Sequence, residues 1–176
     1  MRALPFSRAA VTVLLVTLAL WLTGCAGYRL GPSNGTAAGA RSIEIRPFAN
    51  QTFEPRLTEA ITQQLRKQLQ KDGTFRLSTD GGADVTVSGS LVKYEREPLS
   101  FQPRDVITTR DYSINVTARV QARDNGTGHM LIDQAVAGRT TVRNVPDLAS
   151  AERQAATLLA ENLAQNIRSL LVDGAW

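Results

Sequence analysis

The sequence predicts an α+β two-layer sandwich, with two helices packed on one face of a mostly antiparallel, mixed sheet of four to five strands. Three observations carry that expectation. The segment 112–122 alternates strictly, with Tyr112, Ile114, Val116, Ala118, Val120 and Ala122 set against Ser113, Asn115, Thr117, Arg119 and Gln121. A period of two describes a strand with one buried and one wet face. Two other segments carry apolar residues about every fourth position: Leu57, Ile61, Leu65 and Leu69, then Ala155, Leu159, Leu163, Ile167 and Leu170. Each is the single stripe of an amphipathic helix. The order of elements, β-α-β-β-β-α, then gives one layer of helices on one sheet, leaving the polar sheet face exposed.

The elements follow in order. Ser42 to Phe48 places Ile43 and Ile45 on one face of a short strand. The turn Asn50-Gln51-Thr52 leads into the first helix, where Pro55 is tolerated in the first turn, and Gly73 ends it. Phe75 to Leu77 is a very short strand. Ala83 to Glu95 carries Val85, Val87 and Leu91 on one side. After the alternating strand 112–122, the turn Asp124-Asn125-Gly126-Thr127-Gly128 closes a hairpin onto a return strand, Met130 to Val142. Asp147 is placed to cap the final helix, which runs to about Val172.

The N-terminal segment is of a different kind. Arg2 and Arg8 precede an apolar run from Ala9 to Trp21, followed by Leu22-Thr23-Gly24-Cys25. At 1.5 Å per residue the run is too short to span about 30 Å of hydrocarbon, and it reads as a secretory signal. Cys25 is the sole cysteine, so the domain has no internal disulfide and must draw its stability from its core. The order Leu-small-small-Cys resembles the lipobox of bacterial lipoproteins. The resemblance implies a diacylglycerol on the Cys25 sulfur, cleavage just before it and acylation, commonly with palmitate, of the new N-terminus. The chain then divides into a cleaved signal peptide (1–24), a lipidated cysteine with a flexible Gly-, Ala- and Ser-rich tether (25–41) and a single periplasmic domain (42–176). Two acyl chains anchor firmly where one does not. Ala26 follows the cysteine, rather than the aspartate associated with inner-membrane retention, which points to the outer membrane.

Composition and motifs exclude several classes of function. The chain has 20 Lys and Arg against 16 Asp and Glu, and two of the cations, Arg2 and Arg8, leave with the signal peptide. No Lys/Arg block of the kind that tracks nucleic acid is present. The single histidine, His129, sits at a hairpin turn with no nucleophile or orienting partner to make it a general base. Asp80-Gly81-Gly82 leads into a strand rather than a helix, so it is no phosphate loop. There is no metal spacing, and neither enzyme activity nor a cofactor is expected.

The arginines are informative by position. Arg96, Arg104 and Arg110 lie in or beside the connection after the strand 83–95, and Arg139 and Arg143 lie at the end of the return strand. These strands run in the same direction, so their C-terminal ends share one end of the sheet. The guanidinium groups could converge there on an anion with several phosphates or carboxylates. Alternatively they are solvated loop arginines paired with Glu95, Glu97, Asp105 and Asp111.

A family pattern runs through the same residues. Cys25-Ala26-Gly27-Tyr28-Arg29-Leu30 resembles the Cys-Gly-Tyr-x-Leu start of the LPS-assembly lipoprotein family LptE, with Ala26 as an inserted residue. The resemblance continues through Ile43-Glu44-Ile45-Arg46-Pro47-Phe48-Ala49-Asn50, the helix with Leu57, Ile61 and Leu65, and Ala83-Asp84-Val85 into Gly89 and Tyr94. It implies an outer-membrane lipoprotein that plugs a large LptD-type β-barrel, helps assemble it and assists passage of lipopolysaccharide to the surface. The partners implied are that barrel, lipopolysaccharide and the membrane through the N-terminal lipid. By position, the family's lipopolysaccharide-contacting loops correspond to Arg96, Arg104 and Arg143. A rival from another class is a lipoprotein activator of a periplasmic peptidoglycan synthase, which can carry a similar strand before its helix. Such a protein needs a long tether, whereas residues 26–41 reach only about 50 Å at about 3.3 Å each.

Overall fold

The computed structural model describes residues 39–55, 57–143 and 148–174. The expected signal peptide, Cys25, most of the expected tether and the expected cap Asp147 lie outside the described residues. Among the described residues the elements are β1 (Arg41–Ile45), β2 (Ala49–Asn50), α1 (Leu57–Asp72), β3 (Phe75–Leu77), β4 (Val85–Gln102), β5 (Asp105–Asp124), β6 (Met130–Arg143) and α2 (Leu148–Asp173). The two helices and the open mixed sheet are those expected, and the two-residue β2 raises the strand count to six. The order across the sheet is β3-β1-β4-β5-β6, with β2 also pairing β4.

The topology follows from the connections. β1 pairs parallel with both β3 and β4, since α1 lies between β1 and β3. β4, β5 and β6 are joined by hairpins and pair antiparallel. Gly73 ends α1 in the left-handed conformation (φ 75°), and its amide donates to the Leu69 carbonyl at 3.1 Å. Turning the chain there brings β3 alongside β1.

The core is the expected one. Ile43, Val85, Val87, Val116, Ala118 and Val120 face Ile61, Leu65, Leu163 and Ile167, all wholly removed from solvent. In α2 the stripe keeps its step of four through Ile167 to Leu171, which is fully buried, while Leu170 packs on the core only partly buried. Phe48 packs against Gly89, where a Cβ would stand 2.3 Å from the ring.

The β4–β5 hairpin departs from expectation. Both strands run on past the anticipated ends at Glu95 and Tyr112, pairing as far as Gln102 and Asp105. Register irregularities between Leu91 and Lys93 and between Pro98 and Ser100 break the alternation, which hides this extension in the sequence. Arg104 makes the turn with φ 69°. The hairpin end carries the exposed apolar residues Leu99, Phe101 and Ile107.

Candidate functional site

The sheet face away from the helices is polar and largely pairs with itself. Arg119 on β5 grips Asp133 on β6 through Nε and Nη2 at 2.7 and 2.8 Å. The arginine hydrogen bond holds the Asp133 carboxyl below the usual range. Arg139 Nε donates to Ser113 Oγ at 2.7 Å, and Ser113 is fully buried although it belongs to this face. Lys93 pairs with Glu95 at 2.8 Å, and Asn115 donates to Glu97 at 3.1 Å. The surface is hydrophilic, nearly charge-compensated and rigidly backed by the core.

The three arginines singled out by sequence are not brought to one point. The irregularity at Val92 resets the alternation of β4, so Tyr94 and Arg96 turn towards the helices instead of the open face. Arg96 Nη1 lies 2.9 Å from Glu152 of α2, Nη2 lies 3.6 Å from Glu54, and the guanidinium stacks 5.8 Å from the Tyr94 ring centre. Burial raises the Tyr94 hydroxyl pKa, with Arg96 opposing it. Arg143 is instead on the open face, opposite Asp111, with Nε 3.5 Å from its carboxylate. Asp111 is held below the usual carboxylate range first by the Ser100 hydroxyl and then by Arg110 and Arg143. Arg104 sits at the hairpin turn, eight residues and roughly 25 Å of strand beyond Arg96. Of the acids considered as partners, Asp111 is used as anticipated, Glu95 and Glu97 engage Lys93 and Asn115, and the Asp105 side chain lies outside the described residues. Arg96 draws on Glu54 and Glu152, which are distant in sequence.

A second polar region is formed by residues that the sequence keeps far apart. Near the start of β4 a concavity of about 330 Å³ opens on the same face, lined by Arg46, Thr86, Ser88, Gln121, Arg123 and Asn125, with Gly128 and Met130 at its edge. The available signal was weak. Arg46 continues the strand pattern of Ile43 and Ile45 at the polar position, and Arg123 continues that of Arg119 and Gln121. Among the described residues, no group of three or more His, Cys, Asp or Glu is placed to hold a metal ion.

Similarity to other proteins agrees with this architecture. The chain resembles a protein from Xanthomonas campestris at TM-score 0.56 and 8% identity, over 83% of this chain and 92% of that one. It also resembles lipoprotein B from Nitrosomonas europaea (0.53, 10% identity, 82% and 88% coverage) and a minor lipoprotein from Acinetobacter baumannii (0.51, 14%, 76% and 93%). At these identities the likeness is one of fold. No curated protein matches the chain. The family model that does match is LptE, described as lipopolysaccharide-assembly, over residues 40–171, which takes in the whole described sheet, α1 and all but the last two residues of α2. The chain therefore belongs to the LptE family of lipopolysaccharide-assembly proteins.

Proposed function

We propose that the chain is a non-catalytic outer-membrane lipoprotein that plugs an LptD-type β-barrel, aids its assembly and assists lipopolysaccharide insertion at the cell surface. The observation that carries this reading is the open sheet face. A plug in a water-lined barrel needs a hydrophilic exterior on a core that does not yield, and the Arg119–Asp133 and Arg139–Ser113 contacts lie directly over such a core. Family membership supports the lipopolysaccharide role. Lipidation at Cys25 supplies the anchor, and the short tether keeps the domain close to the membrane.

On this reading lipopolysaccharide phosphates are met by Arg104 and Arg143, while Arg96 is engaged by Glu54 and Glu152, about 25 Å of strand from Arg104. The experiment is a pull-down of the full chain from detergent-solubilised outer membranes. Recovery of a large β-barrel supports the plug. Recovery of a penicillin-binding protein in its place overturns it in favour of a peptidoglycan-synthase activator.

A further inference from the structure

The concavity at the start of β4 is built from three adjacent strands. Ile45 pairs with Val87, and the Arg46 amide donates to the Val87 carbonyl at 2.9 Å, so β1 and β4 stay in step past the end of β1. Thr86 pairs with Arg123, and Ser88 with Gln121. Arg46 and Arg123 therefore stand on either side of Thr86 and Ser88, separated by two strand spacings, or about 10 Å across the sheet. Two arginine side chains can close over a ligand of that width.

The floor is held in place before any ligand arrives. Asn125 Nδ2 donates to the Ala83 carbonyl at 2.7 Å and to Thr86 Oγ1 at 2.9 Å, while the Asn125 amide donates to the Asp84 carbonyl at 2.8 Å. The cations are only lightly engaged. Arg46 is well exposed, and among the described residues it is ion-paired only with Glu44, at 3.9 Å. Arg123 spends Nε on the Gly128 carbonyl at 3.1 Å, and no ion pair engages it among the described residues. Elsewhere on this face Arg119 is fully matched by Asp133, and these two guanidinium groups have no carboxylate so close.

We propose that this concavity binds a phosphorylated saccharide. Arg46 and Arg123 hold the phosphate through charge-assisted hydrogen bonds, and Ser88, Gln121 and Asn125 take sugar hydroxyls. The half-exposed Met130 offers an apolar edge to the C–H face of the ring. The site lies roughly 40 Å along the strand from Arg143, at the other end of the open face, and stands whether or not the chain plugs a barrel. The ligand chemistry has two sources, a free sugar phosphate or the phosphorylated sugar headgroup of a lipid.

The test is nuclear magnetic resonance of the full chain in detergent micelles, following backbone amides and arginine Nε–H signals. The probes are glucose 1-phosphate, glucose, inorganic phosphate, and lipid A in mixed micelles. Saturable shifts at Thr86, Ser88 and Arg123 are expected with glucose 1-phosphate or lipid A, and the tighter of the two names the source. Inorganic phosphate should bind about tenfold more weakly and glucose weaker still. Arg46→Gln with Arg123→Gln should abolish the response, whereas Arg104→Glu with Arg143→Glu should leave it intact, separating this site from the one above. Ser88→Val, which keeps both cations, should weaken the sugar phosphate towards phosphate alone, and serves if the double arginine variant loses its dispersed spectrum. No saturable shift with either sugar phosphate, an equal response to inorganic phosphate, or a response surviving the arginine changes in a folded chain would overturn the proposal.

Discussion

Leu163 of α2 lies directly against Gly138 of β6: a Cβ on that glycine would stand 2.7 Å from the Leu163 Cβ and 3.0 Å from its Cα. The missing side chain lets the helix backbone settle onto the strand. Since the obstruction is partly backbone, an added methyl has to push the helix away rather than rotate a side chain. Gly138→Ala should therefore destabilise the domain by about 1–3 kcal/mol, read from the midpoint of urea unfolding. An unchanged midpoint would show that α2 can shift without loss.

The same close approach lets α2 cover the edge of the sheet. Asn162 Oδ1 accepts from the Arg139 amide at 2.9 Å, and Asn166 Nδ2 donates to the Ala137 carbonyl at 2.8 Å. Residues four apart on a helix thus meet residues two apart on an edge strand, and the amide side chains stand in for a missing neighbouring strand. Replacing both with alanine should remove about 0.5–1.5 kcal/mol per hydrogen bond. Hydrogen exchange at the Arg139 amide should accelerate, and protection equal to wild type would refute the assignment.

Asp84 joins the start of β4 to β1, its Oδ2 accepting from both the amide and the hydroxyl of Ser42 at 2.7 Å. The backbone hydrogen bond, followed by the hydroxyl, holds the carboxyl below its ordinary value of 3.8. With the folded value depressed, the stabilisation is fully present above the unfolded value and fades as pH falls through the folded one. Asp84→Asn should lower the thermal midpoint near neutral pH and narrow its gap from wild type below about pH 4. A gap that does not change with pH would mean the carboxylate charge is irrelevant there.

Arg96 is exposed, yet it is tied into the structure by two carboxylates. Glu152 Oε1 is shut off from solvent with no hydrogen-bond donor aligned on it, and Arg96 Nη1, 2.9 Å away, compensates its charge. Arg96→Glu should markedly lower the thermal midpoint, by crowding three carboxylates around Tyr94. Arg96→Lys should cost less, retaining charge but not the fork that spans Glu54 and Glu152. By contrast, Arg104→Glu with Arg143→Glu should change stability by no more than about 0.5 kcal/mol per site while weakening lipopolysaccharide binding. Full binding by that folded variant would remove the hairpin end as a lipopolysaccharide contact.

Cys25→Ser should leave the chain uncleaved and unlipidated, visible as a slower-migrating species that takes up no labelled palmitate. Normal processing of this variant would rule out the lipobox reading.

Much of the fold could be read locally. The alternation at 112–122 and the stripes at Leu57–Leu69 and Ala155–Ile167 are properties of consecutive residues, because burying one face imposes the period of the element that presents it. The turn at Asp124–Gly128 and the helix stop at Gly73 were visible for the same reason. The arginines were not. The face that Arg96 takes depends on an irregularity at Val92 within the β4–β5 pairing, and a one-residue slip moves every following side chain to the other side of the sheet. The juxtaposition of Arg46 with Arg123 depends on which strands become neighbours, a choice made by the joint packing of two helices on six strands. Sequence alone determined the layers, the core and the family resemblance. Tertiary structure decided which cations face solvent together, because strand register and neighbour order are set by contacts between residues far apart along the chain.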